Sequence, residues 1–169
     1  MSLRSYGILT LLAGTILGLD QLTKWVVRTR LALGEAWSPW EPLSPYMRVV
    51  HWTNTGAAFG LFQNGGMVFT VLAIVVSAAI IYYYRNTERA SWLVRLALAM
   101  QLGGALGNLI DRLTQGTVTD FISLGSFPVF NLADASISLG VAFLLIAMLI
   151  EQNNSESRSA SATSAPDQT

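Results

Sequence analysis

The sequence predicts a membrane all-α protein with a small β element: four transmembrane helices carrying a sheet-like shelf and an interfacial segment on one side of the bilayer. Three observations predict it. The chain has 169 residues, 52% hydrophobic and only 12% charged, with a mean hydropathy of +0.47, far from the average soluble domain. Four stretches, about 6–27, 66–84, 92–111 and 132–150, are long and apolar enough to cross a bilayer, which takes roughly 20 residues of helix. The connection at 28–65 mixes prolines and aromatics with a β-branched run, a pattern of short strands rather than of a fifth helix.

The first stretch opens like a secretory signal, but it has no A-x-A-like cleavage site and its apolar run continues past Asp20 to Val27, which predicts a retained helix. Gly14 and Gly18 stand four apart, the spacing that lets two helices approach closely. Asp20 and Lys24, at i and i+4, form a pair that can neutralise itself on one face. The connection 28–65 begins with Trp37, Trp40 and Tyr46 among prolines, residues that settle at the headgroup level. It continues as "MRVVHWTNTGAAFGLF", which reads as short strands broken at Asn54, Gly56 and Gly60. These predict a shelf lying on the membrane surface.

The second helix is uniformly apolar and ends in the polar turn "RNTERA". The third becomes rich in glycine (Gly103, Gly104, Gly107) and then polar at Asn108, Asp111 and Arg112, which at i, i+3 and i+4 share a face. Then "LTQGTVTDFISLGSFPVF" reads as two short strands around "SLGS", and the fourth helix follows. One membrane-embedded domain thus fills 1–150. The tail 151–169, rich in Ser, Ala and Asn, has the composition of a disordered segment.

Composition narrows the function. Net charge is zero, without a basic block, so no nucleic-acid partner is expected. The absence of cysteine removes disulfides and thiolate chemistry, and the lone His51 cannot build a metal cluster, so no metal and no cofactor is expected. Four crossings put both termini on one side and bring Asp111, Arg112, Asp120, Asn131 and Asp134 together on the other. Arginines divide almost evenly between the two sides, so charge does not orient the chain.

Three aspartates then stand out. Asp111 can pair with Arg112 or Arg95. Asp134 follows Asn131 by three residues, a capping-box spacing, and spacing alone favours capping. Asp120 has no basic residue within seven positions and is too far from either helix to cap it. If the segment between them folds back at Leu124–Gly125, Asp120 meets Asp134, and two carboxylates at a partly dry site share one proton. That is the arrangement of an aspartyl hydrolase, with Asp134 at the helix N-terminus the ionised partner. Two other readings stay open on the residues alone: a Mg²⁺-dependent lipid phosphotransferase, and a proton-coupled carrier using Asp20, Lys24 and Asp111.

The ordered set "DQLTK" (20–24), "NTGAAFG" (54–60), "GNLIDR" (107–112), "VTDFI" (118–122) and "FNLADASI" (130–137) resembles the lipoprotein signal peptidases, or signal peptidase II, across residues from about 6 to 150. The resemblance implies an aspartyl endopeptidase of the bacterial inner membrane, with termini in the cytoplasm and its site near the outer leaflet. Its substrate would be a diacylglyceryl-modified prolipoprotein, cut just before the lipidated cysteine. The catalytic pair falls on Asp120 and Asp134, with Asp111 supporting. Asn54, Asn108, Arg112 and Asn131 would line the site and hold the substrate backbone, with Asp20 and Lys24 as a polar support. Gly56 joins them as a supporting position in the shelf, where it and Gly60 offer points of motion. Membrane lipids are the other expected partners, and a monomer is the expected state.

Overall fold

The computed structural model describes residues 3–56, 65–85, 87 and 90–163. In chain order it contains α1 (Leu3–Arg30), β1 (Ala36–Trp37), a 3-10 turn (Glu41–Leu43), β2 (Met47–Asn54), α2 (Gly66–Tyr84), α3 (Trp92–Gln115), β3 (Val118–Leu124) and α4 (Leu132–Thr163). All four helices contain a span long and apolar enough to cross a membrane, with mean hydropathies from 1.2 to 2.2. The chain is a multi-pass membrane protein. Gly60 and residues 164–169 lie outside the described residues.

The helix α3 is the central one: half of its span is buried, against 11–22% for the other three. Its composition explains this, because lipid tails are as apolar as leucine and helices in a membrane associate through close packing of small residues. Ala97, Ala99, Gly103, Gly104, Ala105 and Gly107 are all buried along it. A Cβ at Gly103 would stand 2.8 Å from the Ala13 carbonyl oxygen, so α1 and α3 meet there. The close approach predicted at Gly14 and Gly18 is not made: neither has another atom within 4 Å of a Cβ position. The small residues that matter are on the partner helix.

The helix ends differ from expectation. α1 runs from Leu3 to Arg30 and α3 reaches Gln115. α4 continues past 150 to Thr163, into the segment whose composition predicts disorder. No glycine or proline interrupts the chain between Gly140 and Pro166, so nothing forces an end at the edge of the apolar run.

The two connections on the shared side do not form separate units. They build one antiparallel sheet in the order β1-β2-β3. The pairing Val49 with Ile122 gives way to Trp52 with Asp120, so β2 carries one extra residue at Val50–His51. This bulge decides which side chains share a face. Continuing the first register would put Asn54 opposite position 117, on the face away from Asp120. With the extra residue, Asn54 pairs with Val118 and joins Asp120's face. Beyond β3 the chain folds back at Leu124–Gly125 as the sequence predicts, with Gly125 at φ +51 and Phe130 bridging Ile122.

Candidate active site

The N-terminus of α4 organises the site. Asn131 precedes the helix; its Oδ1 accepts the Asp134 N–H at 2.9 Å, and Asp134 Oδ2 accepts the Asn131 N–H at 3.3 Å. This is a reciprocal capping box with aspartate in the place of glutamate. Asp134 therefore caps with one oxygen, while its other oxygen, Oδ1, accepts from Asn108 Nδ2 at 2.7 Å. The Asn131 side-chain amide donates at 2.7 Å to Asp120 Oδ1 and at 3.1 Å to Asn108 Oδ1. A single asparagine is thus bonded to both aspartates.

Asp120 is supplied by β3 and is 1% exposed. Its Oδ2 accepts from Asn54 Nδ2 at 3.0 Å, a contact that the β2 bulge makes possible. Burial first, and then the nearby Asp134 carboxylate, push Asp120 up to about 7, against the opposing pull of the Asn54 and Asn131 amides. Asn54 in turn accepts the Gly56 N–H at 2.9 Å, and the Gly56 carbonyl takes a long 3.5 Å bond from Arg112. The Arg112 guanidinium also stacks over the Phe69 ring at 5.5 Å.

Beneath the aspartates lies a charged layer. Lys24, fully buried, donates to Asp20 at 2.8 Å, Asn108 at 2.9 Å and Asp111 at 3.2 Å, which uses all three of its hydrogens. Asp20 is more than the partner of Lys24, since its Oδ1 accepts the Ala133 N–H of α4 at 3.0 Å. Asp111 pairs with neither Arg112 nor Arg95. Adjacent helical residues point about 100° apart, so Arg112 faces the shelf while Asp111 turns to Lys24, to Arg28 at 3.5 Å and to the Thr119 N–H at 2.9 Å.

Three participants went unassigned in the sequence. Arg28 also donates to Thr119 at 3.0 Å, and its signal was the spacing 20, 24, 28 on one face of α1. Gln21 binds Asp20, Asp111 and the Gly107 carbonyl at 3.1–3.2 Å; it stands next to Asp20, with no separate periodicity to mark it. Gly107 lets the Asp20 carboxylate pass, because a Cβ there would collide with Oδ2. Among the described residues no group of three or more His, Asp or Glu side chains converges as a metal site.

Asp134 opens onto a cavity of about 770 Å³ between α2, α3 and α4. Asn54, Asn108, Arg112 and Asp134 line its polar end, and Phe69, Leu72, Val76, Ala105, Ile137 and Phe130 are among its apolar walls. Asp120 is enclosed, both its oxygens held by amides. Such a site can bind a mostly apolar chain and bring one polar bond of it to a carboxylate.

A family model described as "Signal peptidase (SPase) II" matches residues 12–150. The chain is 40% identical over 140 residues to the lipoprotein signal peptidase of Shouchella clausii, covering 82% of this chain and 91% of that one. It is 42% identical over 140 residues to the lipoprotein signal peptidase of Moorella thermoacetica, covering 83% and 91%. A solved structure described as a bacterial membrane enzyme, determined by the in meso method at 2.3 Å resolution, superposes with a TM-score of 0.80 at 29% identity, covering 88% of this chain and 91% of that one.

Proposed function

The chain belongs to the signal peptidase II family, and from that premise we propose that it cleaves the signal peptide from diacylglyceryl-modified prolipoproteins just before the lipidated cysteine, with Asp120 and Asp134 as the reacting pair. Membership of a peptidase family makes it a membrane-embedded protease. The observation that carries the aspartyl reading is that Asn131 bonds both carboxylates, the enclosed Asp120 and Asp134, which lines the polar end of an apolar cavity.

At neutral pH the two aspartates share a proton, which rests on Asp120, whose carboxyl is pushed up to about 7. Asp134, facing the Asn108 amide and the Asn131 N–H, serves as the carboxylate. A water molecule gives a proton to Asp134 as its oxygen attacks the scissile carbonyl carbon, and Asp120 donates to the carbonyl oxygen. When the tetrahedral intermediate collapses, the C–N bond breaks, the amine takes the proton from Asp134, and Asp120 recovers its own. For this, Asp120 Oδ2 exchanges the Asn54 amide for the scissile carbonyl. A lipidated peptide enters sideways from the bilayer, which suits a cavity walled by α2, α3 and α4.

The termini lie in the cytoplasm and the site near the outer leaflet of the bacterial inner membrane. Supporting this frame, the sheet, the ends of α1 and α3 and the beginnings of α2 and α4 share one side. Exposed Trp37, Trp40, Tyr46 and Trp52 on the shelf suit a headgroup layer.

The test is cleavage of a diacylglyceryl-modified prolipoprotein by purified wild type, Asp120→Asn and Asp134→Asn. Each variant should lose roughly 10³-fold or more in kcat. Near-normal turnover by either folded variant removes the dyad.

A further inference from the structure

The polar end of the cavity gives way along α3 to Ala105 and then to Gln101, on the same stripe as Asn108. Seven residues at 1.5 Å rise put Gln101 about 10 Å deeper than Asn108, near the middle of the Trp92–Gln115 span. Its Nε2 is buried and has no hydrogen-bond partner. α4 is shaped to admit its stem: a Cβ at Gly140 would stand 2.9 Å from Gln101 Cγ. An amide donor without an acceptor is costly at membrane depth, where no bulk water can replace the missing partner. The cavity walls on these helices include Ala105, Val76 and Leu139, so an apolar side chain at 101 would suit the lining at least as well.

The missing acceptor is something the cavity's occupant can bring. A signal segment crosses the membrane as a helix, whose last four carbonyls have no partner within the helix, and it must become extended to present a bond for cleavage. From Asp134, an extended chain covers about 10 Å in three residues at about 3.3 Å each. That reaches the depth of Gln101 where orphan carbonyls begin. The terminal torsion of glutamine is soft, so the amide can turn its N–H groups into the cavity.

We propose that Gln101 is a substrate-binding residue whose amide donates to the backbone carbonyl about three residues before the cleaved bond. This rests on the cavity being the peptide site. The glyceryl ester of the substrate's lipid offers the same acceptor chemistry, and the experiment separates the two sources.

Purified wild type, Gln101→Leu and Gln101→Met are assayed on a diacylglyceryl-modified prolipoprotein peptide. Two further substrates are the same peptide with a trans-alkene in place of that carbonyl-bearing peptide bond, and its ether-lipid counterpart. Both variants should raise KM about fivefold to tenfold, the value of one hydrogen bond, with kcat within twofold. Both should melt above wild type, because the unpartnered amide is gone. The alkene should erase the KM difference between wild type and variants, and the ether lipid should leave it. A difference erased by the ether lipid and not by the alkene moves the contact to the lipid and overturns the proposal. A wild-type KM in both variants overturns it as well. Wild type active with Asp134→Asn inactive keeps the proposed function standing in either case, whereas inert wild type overturns both.

Discussion

Asp20 on α1 accepts the N–H of Ala133, in the first turn of α4, at 3.0 Å, across 113 residues of sequence. This bond ties the helix that carries Asp134 to the helix that carries Lys24. Asp20→Asn keeps an acceptor for Ala133 but removes the charge facing Lys24 at 2.8 Å. We expect a loss of about 1–3 kcal/mol in stability and reduced turnover, measured by thermal melting and cleavage in the same detergent.

Lys24 is buried among Asp20, Asp111 and Asn108. Lys24→Met leaves two buried carboxylates without their cation, although Arg28 and the Thr119 N–H still reach Asp111. Loss of one partner of a buried pair costs about 3–5 kcal/mol, so the folded yield should fall sharply. Lys24→Met with Asp20→Leu should recover part of it, read by the melting temperature.

Asn131→Ala removes the N-cap and the amide that holds Asp120. The cap alone is worth about 1 kcal/mol. The fall in kcat should exceed what that stability change accounts for, by about 10²-fold, because in the proposed pair Asp120 loses the amide that fixes it and the turn that carries Asp134 loses its cap. Single-turnover cleavage at a temperature well below melting separates the two effects.

The pH dependence follows from Asp120. Its folded value, about 7, lies above the ordinary carboxylate value of 3.8, so the folded state holds the proton more tightly than the unfolded one. Its contribution to stability is fully present below about 4 and is lost as pH rises through about 7. kcat/KM should likewise fall above about 7, as the proton that the proposed mechanism requires on Asp120 is lost. Asn54→Leu removes a donor that pulls Asp120 down, so the alkaline limb should move to higher pH; a limb that stays in place assigns it to another group.

Gly107→Ala places a methyl group against Asp20 Oδ2. Asp20 cannot swing aside without releasing Lys24 or Ala133, so the change should cost about 1–3 kcal/mol as overpacking. Gly14→Ala, which meets nothing within 4 Å, should not lower the melting temperature and can raise it through helix propensity, and the pair together tests where the helices meet.

The helix count was legible in the sequence because a bilayer accepts only long apolar helices here, and hydropathy records their length. The second helix, at 66–84, needs no correction. Capping at Asn131 was legible too, since a capping box is a local spacing. The lipoprotein signal peptidase family could be named from five ordered motifs. Other features depended on rotation and register, which no local pattern contains. Asp111 faces Lys24 and Arg28 because of how α1 lies against α3. Asn54 reaches Asp120 because one extra residue in β2 exchanges its faces, and a single-residue slip in a period-two element reverses every side chain after it. In sequence Gln101 carries no motif to single it out, and only the fold leaves its amide without a partner beside the cavity. The sequence by itself determined the four crossings, the side on which the aspartates gather and the cap of α4; only the tertiary structure decided which groups touch, because those contacts are set by helix rotation and strand register between segments far apart in the chain.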